Sequence, residues 1–94
     1  MTYKFEWDET KAANNLKKHG ICFDEAKSVF YDDYARRFYD SLHSSNEARE
    51  LIFGFSNKNR LLIVSYTERI NKIRIISARK VTKNERKLYE DFKK

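Results

Sequence analysis

The side chains best suited to chemistry lie close together in the last third of the chain. Glu68 and Arg69 are neighbours, Arg74 and Arg79 follow, and Arg86 comes shortly afterwards. Guanidinium groups present paired donors that match phosphate oxygens, and they stay charged at any working pH. A carboxylate among them could take a proton from a ribose 2′-hydroxyl. This stretch therefore has the groups needed to bind a phosphodiester and to move a proton near it.

Charge is distributed unevenly along the chain. Residues 1–56 carry 8 Lys and Arg against 10 Asp and Glu, a net charge of −2. Residues 57–94 carry 12 against 4, a net charge of +8, and the two values sum to the +6 of the whole chain. A basic half indicates a polyanionic partner more strongly than the total charge does. The alternative is a solvated surface on which these arginines pair with the acidic half.

Composition restricts the class of protein. Residues 1–94 are expected to form a single domain, and 40% hydrophobic residues are enough for one core. With Cys22 as the single cysteine and only two histidines, we expect no disulfide, no metal site and no cofactor. No segment approaches the ~20 apolar residues of a membrane span, and none resembles a signal peptide. We therefore expect a cytoplasmic protein without membrane contact.

Two N-terminal helices and a closing C-terminal helix are predicted from caps and periodicity. The first covers residues 9–18, with Asp8 as N-cap and Gly20 as a left-handed C-cap. Asp24 is expected to cap the second helix, and the 82–85 segment matches a capping box at the start of the last. The expected packing residues are Ala12, Ala13 and Leu16 in the first helix, Ala26, Val29 and Phe30 in the second, and Leu88, Tyr89 and Phe92 in the last.

The segment between the helices has strand character, which makes the fold class α+β. A short edge strand is expected at residues 3–7, and longer strands are expected at 35–40, 49–56, 61–67 and 72–80. The 61–67 strand is apolar almost throughout, so we place it at the centre of the sheet. We expect an antiparallel sheet of about four strands.

Strand alternation limits which arginines can act together. In a regular strand Arg74 and Arg79, five residues apart, point to opposite faces. They share a site only if a bulge intervenes or if the strand ends before Arg79. Arg79, just ahead of the capped helix, is therefore the stronger candidate for a phosphate contact. Tyr66 and Tyr89 could stack on nucleobases, with core packing as the alternative.

Several ungapped blocks resemble the BrnT family of bacterial toxins. The blocks are Phe5-Glu6-Trp7-Asp8, Lys11-Ala12 with Asn15, Lys18-His19-Gly20, Phe23 with Glu25-Ala26, Thr67-Glu68-Arg69, the run from Arg74 to Arg79, and Glu85-Arg86. The family consists of ribonuclease toxins with a RelE-like fold, each neutralised by a cognate BrnA antitoxin that also binds DNA. One departure is Tyr66, which stands where histidine is expected in many relatives and, with a reference pKa of about 10, exchanges protons less readily near neutral pH.

The resemblance implies an endoribonuclease toxin that cleaves RNA without a metal and inhibits translation. It implies Glu68 as the base or orienting group, with Arg69 and Arg79 stabilising the developing charge. The residues expected to bind substrate are Tyr66, Arg74, Lys80 and Arg86. The implied partners are RNA, a BrnA-like antitoxin and, through the antitoxin, operator DNA. The alternative function is a non-catalytic RNA- or protein-binding module that uses the same basic face.

Overall fold

Five strands and three α-helices make up the fold. The computed structural model describes residues 3–43 and 47–93, apart from the side chains of His43, Phe92 and Lys93. The strands are β1 (Phe5–Glu6), β2 (Arg36–Tyr39), β3 (Glu50–Phe55), β4 (Leu61–Arg69) and β5 (Lys72–Lys80). The helices are α1 (Glu9–His19), α2 (Phe23–Ser28) and α3 (Lys83–Lys93), with 3-10 turns at Val29–Tyr31 and Ser41–His43. No helix in these ranges is long and apolar enough to span a membrane.

The strands form one mixed sheet in the order β1-β5-β4-β3-β2. β4 lies at its centre, as its apolar sequence predicts, and β2 to β5 pair with antiparallel neighbours. β1 is the exception, because it pairs in parallel with β5 at Ile73 and Arg74. The expected antiparallel sheet of about four strands is therefore corrected to a mixed sheet of five. This pairing joins the two ends of the fold, so the local pattern of residues 3–7 could not reveal it.

One face of the sheet carries the hydrophobic core. Leu62, Val64 and Tyr66 of β4 have no exposed surface, and they pack beneath α1, α2 and the turn that follows. Phe23 and Phe30 fill the space between these elements and the sheet. Burial of each such side chain contributes about 1.5–3 kcal/mol to stability. The core therefore lies on one face of the sheet, and α1 and α2 do not cover the opposite face.

Asn15 joins α1 to β5. Its amide nitrogen donates to the carbonyl oxygens of Ala78, at 2.8 Å, and Ile21, at 2.9 Å. Its amide oxygen accepts from the Ala78 amide at 3.0 Å. β1 covers β5 only near Ile73 and Arg74, so Asn15 replaces a neighbouring strand at Ala78 and satisfies backbone groups that would otherwise be buried without partners.

The buried side of α1 differs from the expected one. Ala12 packs against the core as predicted, but Leu16 is 51% exposed and Ala13 is also exposed. Asn15, which is 6% exposed, takes the inward position instead. Hydrogen bonding to a strand edge has here outweighed the burial of a leucine. The predicted caps of α1 are confirmed: Asp8 accepts from two first-turn amides, and Gly20 has φ 72°.

α2 begins two residues earlier than expected, and an ion pair with a buried carboxylate fixes it. Its N-cap is Cys22, whose sulfur accepts from the Glu25 amide, so the prediction of Asp24 as the cap is wrong. The Glu25 carboxylate is buried, where it accepts from Arg60 Nε at 2.8 Å and from the Ser56 hydroxyl at 2.6 Å. The Arg60 guanidinium lowers the pKa of Glu25. This contact connects α2 to the turn between β3 and β4.

Asp32 holds α3 against the sheet. One carboxylate oxygen accepts from the Phe55 amide at 2.8 Å and from the Tyr89 hydroxyl at 3.2 Å. A Cβ on Gly54 would lie 3.0 Å from the same oxygen, so this approach requires glycine. Tyr89 is buried as predicted, whereas Leu88 is 55% exposed and is not a core residue. The side chain of Phe92, the third predicted contact, lies outside the described residues.

We expect Asn15→Asp to lower the free energy of unfolding by about 3 kcal/mol, because a carboxylate cannot donate to the carbonyls of Ala78 and Ile21. Asn14→Asp is the matched control, since Asn14 is exposed one position away on the same helix. That change should alter stability by less than about 0.5 kcal/mol. Urea unfolding of both variants measures the difference, and equal stabilities would show that Asn15 does not anchor β5.

Candidate functional site

A β-bulge in β5 brings two arginines to the same face of the sheet. The register between β4 and β5 shifts by one residue: Ser65 pairs with Ser77, then Tyr66 with Ile75. Ile76 is therefore the extra residue of β5. The shift sets Arg74 opposite Thr67, while Arg79 lies opposite Ile63. Positions 63 and 67 share a face of β4, so a bulge has put both arginines on one surface.

We call this surface the open face. It consists of Leu51 and Phe53 of β3, Ile63, Ser65 and Thr67 of β4, and Arg74, Ser77 and Arg79 of β5. α3 covers one end, where Tyr89 packs edge-on against Phe55 with ring centroids 5.9 Å apart. Beside α3 a groove of about 370 Å³ is lined by Ser65, Ser77, Arg79, Glu85 and Asp40, with apolar side chains at its floor. This groove is large enough for a small polar group and has a guanidinium at its side.

Glu85 holds the Arg79 guanidinium in place. Arg79 Nη1 and Nη2 each donate to one oxygen of the Glu85 carboxylate, both at 2.9 Å. Glu85 also accepts from the Thr82 amide at 2.8 Å, and its own amide donates to the Thr82 hydroxyl, so the predicted capping box is confirmed. The bond from Arg79 is the main reason that the pKa of Glu85 falls to about 2. The carboxylate binds both terminal nitrogens of the guanidinium, so a phosphate at Arg79 would use the Nε side or displace Glu85.

A second group of cations lies farther along the open face, and we call it the basic cluster: Arg69, Lys72 and Arg74. All three approach the Glu6 carboxylate, with nitrogen–oxygen distances of 3.9, 3.9 and 3.8 Å. Arg69 also donates twice to Glu47, at 3.0 and 3.2 Å. Arg69 pairs with Lys72 at the end of β4, about 20 Å along the strand from the Arg79 position. Arg69 and Arg79 are therefore too far apart to act on one phosphate.

Glu68 lies on the opposite face from Arg79. Its carboxylate forms an ion pair with Arg37 at 3.0 Å. The Arg37 guanidinium lies 5.6–5.9 Å from the centroids of three aromatic rings: Tyr3, Phe30 and Tyr66. Glu68 and Arg37 line a second, wide groove of about 740 Å³ at this end of the sheet, together with Arg69 and Lys72 of the basic cluster. The expected catalytic group requires Glu68 and Arg79 to lie close together, and the structure does not place them so.

The predicted substrate-binding residues fall in different environments. Tyr66 has no exposed surface, and burial raises the pKa of its phenol well above the ordinary value. We therefore correct the expectation that Tyr66 contacts substrate, since a fully buried ring cannot stack on a base. Lys80 pairs with Leu62, which places it on the face opposite Arg79. Arg86 lies over the Phe55 ring at 5.8 Å, beside the open face.

Metal ligands are not gathered in the described part of the chain. No three His, Cys, Asp or Glu side chains within residues 3–43 and 47–93 lie close enough together to hold a metal ion. His19 belongs to the last turn of α1, and the side chain of His43 lies outside the described residues. Cationic side chains outnumber carboxylates along the two grooves.

Comparisons with known proteins point in one direction. A profile of the family described as "Ribonuclease toxin, BrnT, of type II toxin-antitoxin system" matches residues 7–85. The structure is similar to the crystal structure of the Brucella abortus ribonuclease toxin BrnT at 1.1 Å, with a TM-score of 0.68 and 24% sequence identity. The similarity covers 87% of this chain and 100% of that one, and at this identity it shows the fold alone. No curated protein matches the chain.

The bond between Glu85 and Arg79 should make stability depend on acid pH. The pKa of Glu85 is about 2 in the folded protein against 4.5 as the ordinary value, so its stabilising contribution is complete above pH 4.5 and is lost as the pH falls toward 2. Glu85→Gln should therefore be less stable than the wild type at pH 6, and the difference should shrink between pH 4.5 and 2. Urea unfolding across this range measures it, and a difference independent of pH would contradict the assignment.

Proposed function

Since the chain belongs to the BrnT family of ribonuclease toxins from type II toxin–antitoxin systems, we propose that it cleaves RNA internally without a metal ion. In this proposal the cleavage inhibits translation in the cytoplasm, and a BrnA-like antitoxin that also contacts operator DNA neutralises the protein. The observation that carries the proposal is that Arg74 and Arg79 lie on the same open face and that Arg79 lines a groove there.

The proposed reaction is an internal transesterification of RNA. The ribose 2′-oxygen attacks the adjacent phosphorus, so a bond from O2′ to phosphorus forms and the bond from phosphorus to O5′ breaks. The products are a 2′,3′-cyclic phosphate and a 5′-hydroxyl. The 2′-hydroxyl gives up its proton to a base, and O5′ gains a proton as it leaves. Asp40, which lines the groove beside Arg79, is the carboxylate that the open face offers for this proton, since Arg79 binds both oxygens of Glu85 and holds the pKa of Glu85 at about 2.

Arg79 is the central residue of the proposed site. A guanidinium beside the scissile phosphate stabilises the negative charge that builds up on the phosphorane oxygens. Asn15 holds the backbone of the preceding residue, and Glu85 holds the side chain, so the position of Arg79 is fixed before substrate binds. Arg86 approaches from α3 and adds positive charge at the same end of the open face.

Glu68 and Arg69 stay outside this catalytic step. Glu68 points away from the open face into its ion pair with Arg37, and Arg69 donates two hydrogen bonds to Glu47. Both lie at the far end of β4 from the Arg79 position. A base must reach the 2′-hydroxyl next to the same phosphate that Arg79 contacts, and neither residue meets that requirement.

The charge of the open face supports a reaction that does not depend on a metal. Guanidinium groups can neutralise the transition-state charge that a divalent ion would otherwise neutralise. The described residues also offer no cluster of ligands for such an ion. The alternative, a non-catalytic RNA-binding module, would use the same arginines but would create no new RNA ends.

Purified protein should cleave RNA in excess EDTA and leave 2′,3′-cyclic phosphate and 5′-hydroxyl ends. Arg79→Ala should lose about 3 kcal/mol of transition-state stabilisation, which corresponds to roughly 100-fold in rate. Glu68→Gln is the control, because Glu68 lies on the other face, and it should keep cleavage and toxicity.

Thermal melting must show that both variants remain folded. Cleavage that EDTA abolishes and magnesium restores would overturn the metal-free mechanism. A folded Arg79→Ala variant with full toxicity would remove Arg79 from the site, and binding without new ends would favour the non-catalytic module.

The antitoxin is expected to cover the same face that binds RNA. Beside the Arg79 groove lies an apolar groove of about 270 Å³ lined by Phe38, Leu51, Phe53, Leu88, Tyr89 and Arg36. An acidic amphipathic segment would bury its apolar side chains there and place its charges near the arginines of the open face. Such a segment would exclude RNA directly.

Uncleavable 2′-O-methyl RNA should therefore bind free toxin with a steep dependence on salt and bind the toxin–antitoxin complex far more weakly. A fluorescence titration at several salt concentrations, with and without the antitoxin, measures both affinities. Equal affinity in the two samples would show that neutralisation acts from another surface.

A further inference from the structure

Three cations of the basic cluster gather around one carboxylate without hydrogen-bonding to it. The nitrogens of Arg69, Lys72 and Arg74 are 3.8–3.9 Å from the Glu6 oxygens, beyond hydrogen-bond distance. Lys72 and Arg74 form no side-chain hydrogen bond with any described residue. Counting Glu47, which binds Arg69, the cluster holds three positive charges against two negative charges. Its donors converge on one place and remain available to an anion.

A buried hydroxyl adjoins this cluster. Thr67 lies directly opposite Arg74 on the open face, is 1% exposed, and has a hydroxyl without a hydrogen-bond partner among the described residues. A polar atom buried without a partner is costly, and here it lies beside side chains that bind anions. This observation is independent of the charges, and it points to the same part of the sheet.

We propose that the basic cluster is a second phosphate subsite, which binds a flanking phosphate of the RNA strand whose scissile phosphate lies at Arg79. This inference rests on the proposed ribonuclease function. Arg74 pairs with Thr67 and Arg79 pairs with Ile63, so the two positions lie four residues apart along β4, about 13 Å. At the ~3.4 Å rise of a stacked strand this spans about four nucleotides, and fewer if the strand is extended.

Between the two subsites, one pair of facing residues separates the Arg74 position from the Arg79 position on the β4–β5 seam. Ser65 pairs with Ser77 between the two arginine positions, so hydroxyl groups lie between the two subsites. An RNA backbone carries charge at regular intervals, which suits two cationic positions joined by neutral hydrogen-bonding groups. A free phosphate ion would occupy one position only, so dependence on RNA length distinguishes a strand from a single anion.

The test uses DNA oligonucleotides with a single ribonucleotide, because attack by a 2′-hydroxyl can occur only there. The substrates extend zero to five nucleotides on each side of the ribonucleotide. With wild-type protein, kcat/KM should rise about tenfold when the added nucleotides bring a phosphate to the basic cluster. This rise should occur for extension on one side of the ribonucleotide and not on the other. Arg74→Gln should abolish this rise, so that its kcat/KM no longer changes when that phosphate is added.

Two variants separate the subsite from a general effect of charge. Lys17→Gln removes one positive charge from α1, on the other side of the sheet, and should keep the full rise. Glu6→Gln removes the carboxylate that competes with phosphate and should enlarge the rise. If Arg74→Gln is poorly folded, Lys72→Gln takes its place. For Arg74→Gln or Lys72→Gln, the salt dependence of binding to 2′-O-methyl RNA should fall by about one phosphate contact, and for Lys17→Gln it should stay unchanged.

The outcomes that overturn the proposal are distinct. If wild-type protein cleaves all lengths with the same kcat/KM, or if Arg74→Gln keeps the rise, the subsite does not exist although the ribonuclease does. If Arg74→Gln weakens only the antitoxin complex, the cluster binds protein instead of RNA. If the wild type cleaves neither these substrates nor cellular RNA, the proposed function fails and the subsite fails with it.

Discussion

The register of β5 against β4 is the constraint on which the arrangement of charge depends. With regular alternation Arg74 and Arg79 would face opposite sides of the sheet, and no continuous basic surface would exist. The bulge at Ile76 puts both arginines on one face, and Asn15 holds the strand just beyond the bulge by two hydrogen bonds to Ala78. A helix and a bulge together therefore decide which side chains RNA could meet.

Four arginines divide into two groups with different surroundings. Arg60 and Arg37 are structural, since one completes a buried ion pair with Glu25 and the other joins Glu68 beside aromatic rings. Arg74 and Arg79 lie on the open face. Arg74 is 3.8 Å from the Glu6 carboxylate, beyond hydrogen-bond distance, and Arg79, which Glu85 binds, lines a groove. Pairing with acids, one explanation of the charge asymmetry, applies to Arg60, and a surface for a polyanion stays a proposal for Arg74 and Arg79.

Local signals in the sequence predicted most of the elements, because caps, turns and periodicity act over a few residues. The Asp8 cap, the Gly20 C-cap, the Thr82–Glu85 capping box and the central β4 strand are confirmed. The parallel pairing of β1 and the inward position of Asn15 were missed, because both depend on partners more than 60 residues away. The two adjacent isoleucines at 75–76 interrupt the strand alternation, and they are the one local sign of the bulge.

The sequence suggested which types of residue form the candidate site, but it did not show which of them lie close together. Proximity in sequence suggested that Glu68 and Arg69 act with Arg79, yet the β-hairpin places them at opposite ends of the same pair of strands. Tyr66 alternates onto the core side, where an exposed role is impossible. The identity of the site therefore depends on strand faces and distances along the strand, which a linear motif does not contain.

The arginine side-chain Nε–H signals in NMR spectra test this account most directly, because each signal reports from one guanidinium. Titration with uncleavable 2′-O-methyl RNA should shift the signals of Arg74 and Arg79 and leave those of Arg37 and Arg60 in place. Shifts at Arg37, with no change at Arg79, would contradict the account and would place RNA on the face that carries Glu68.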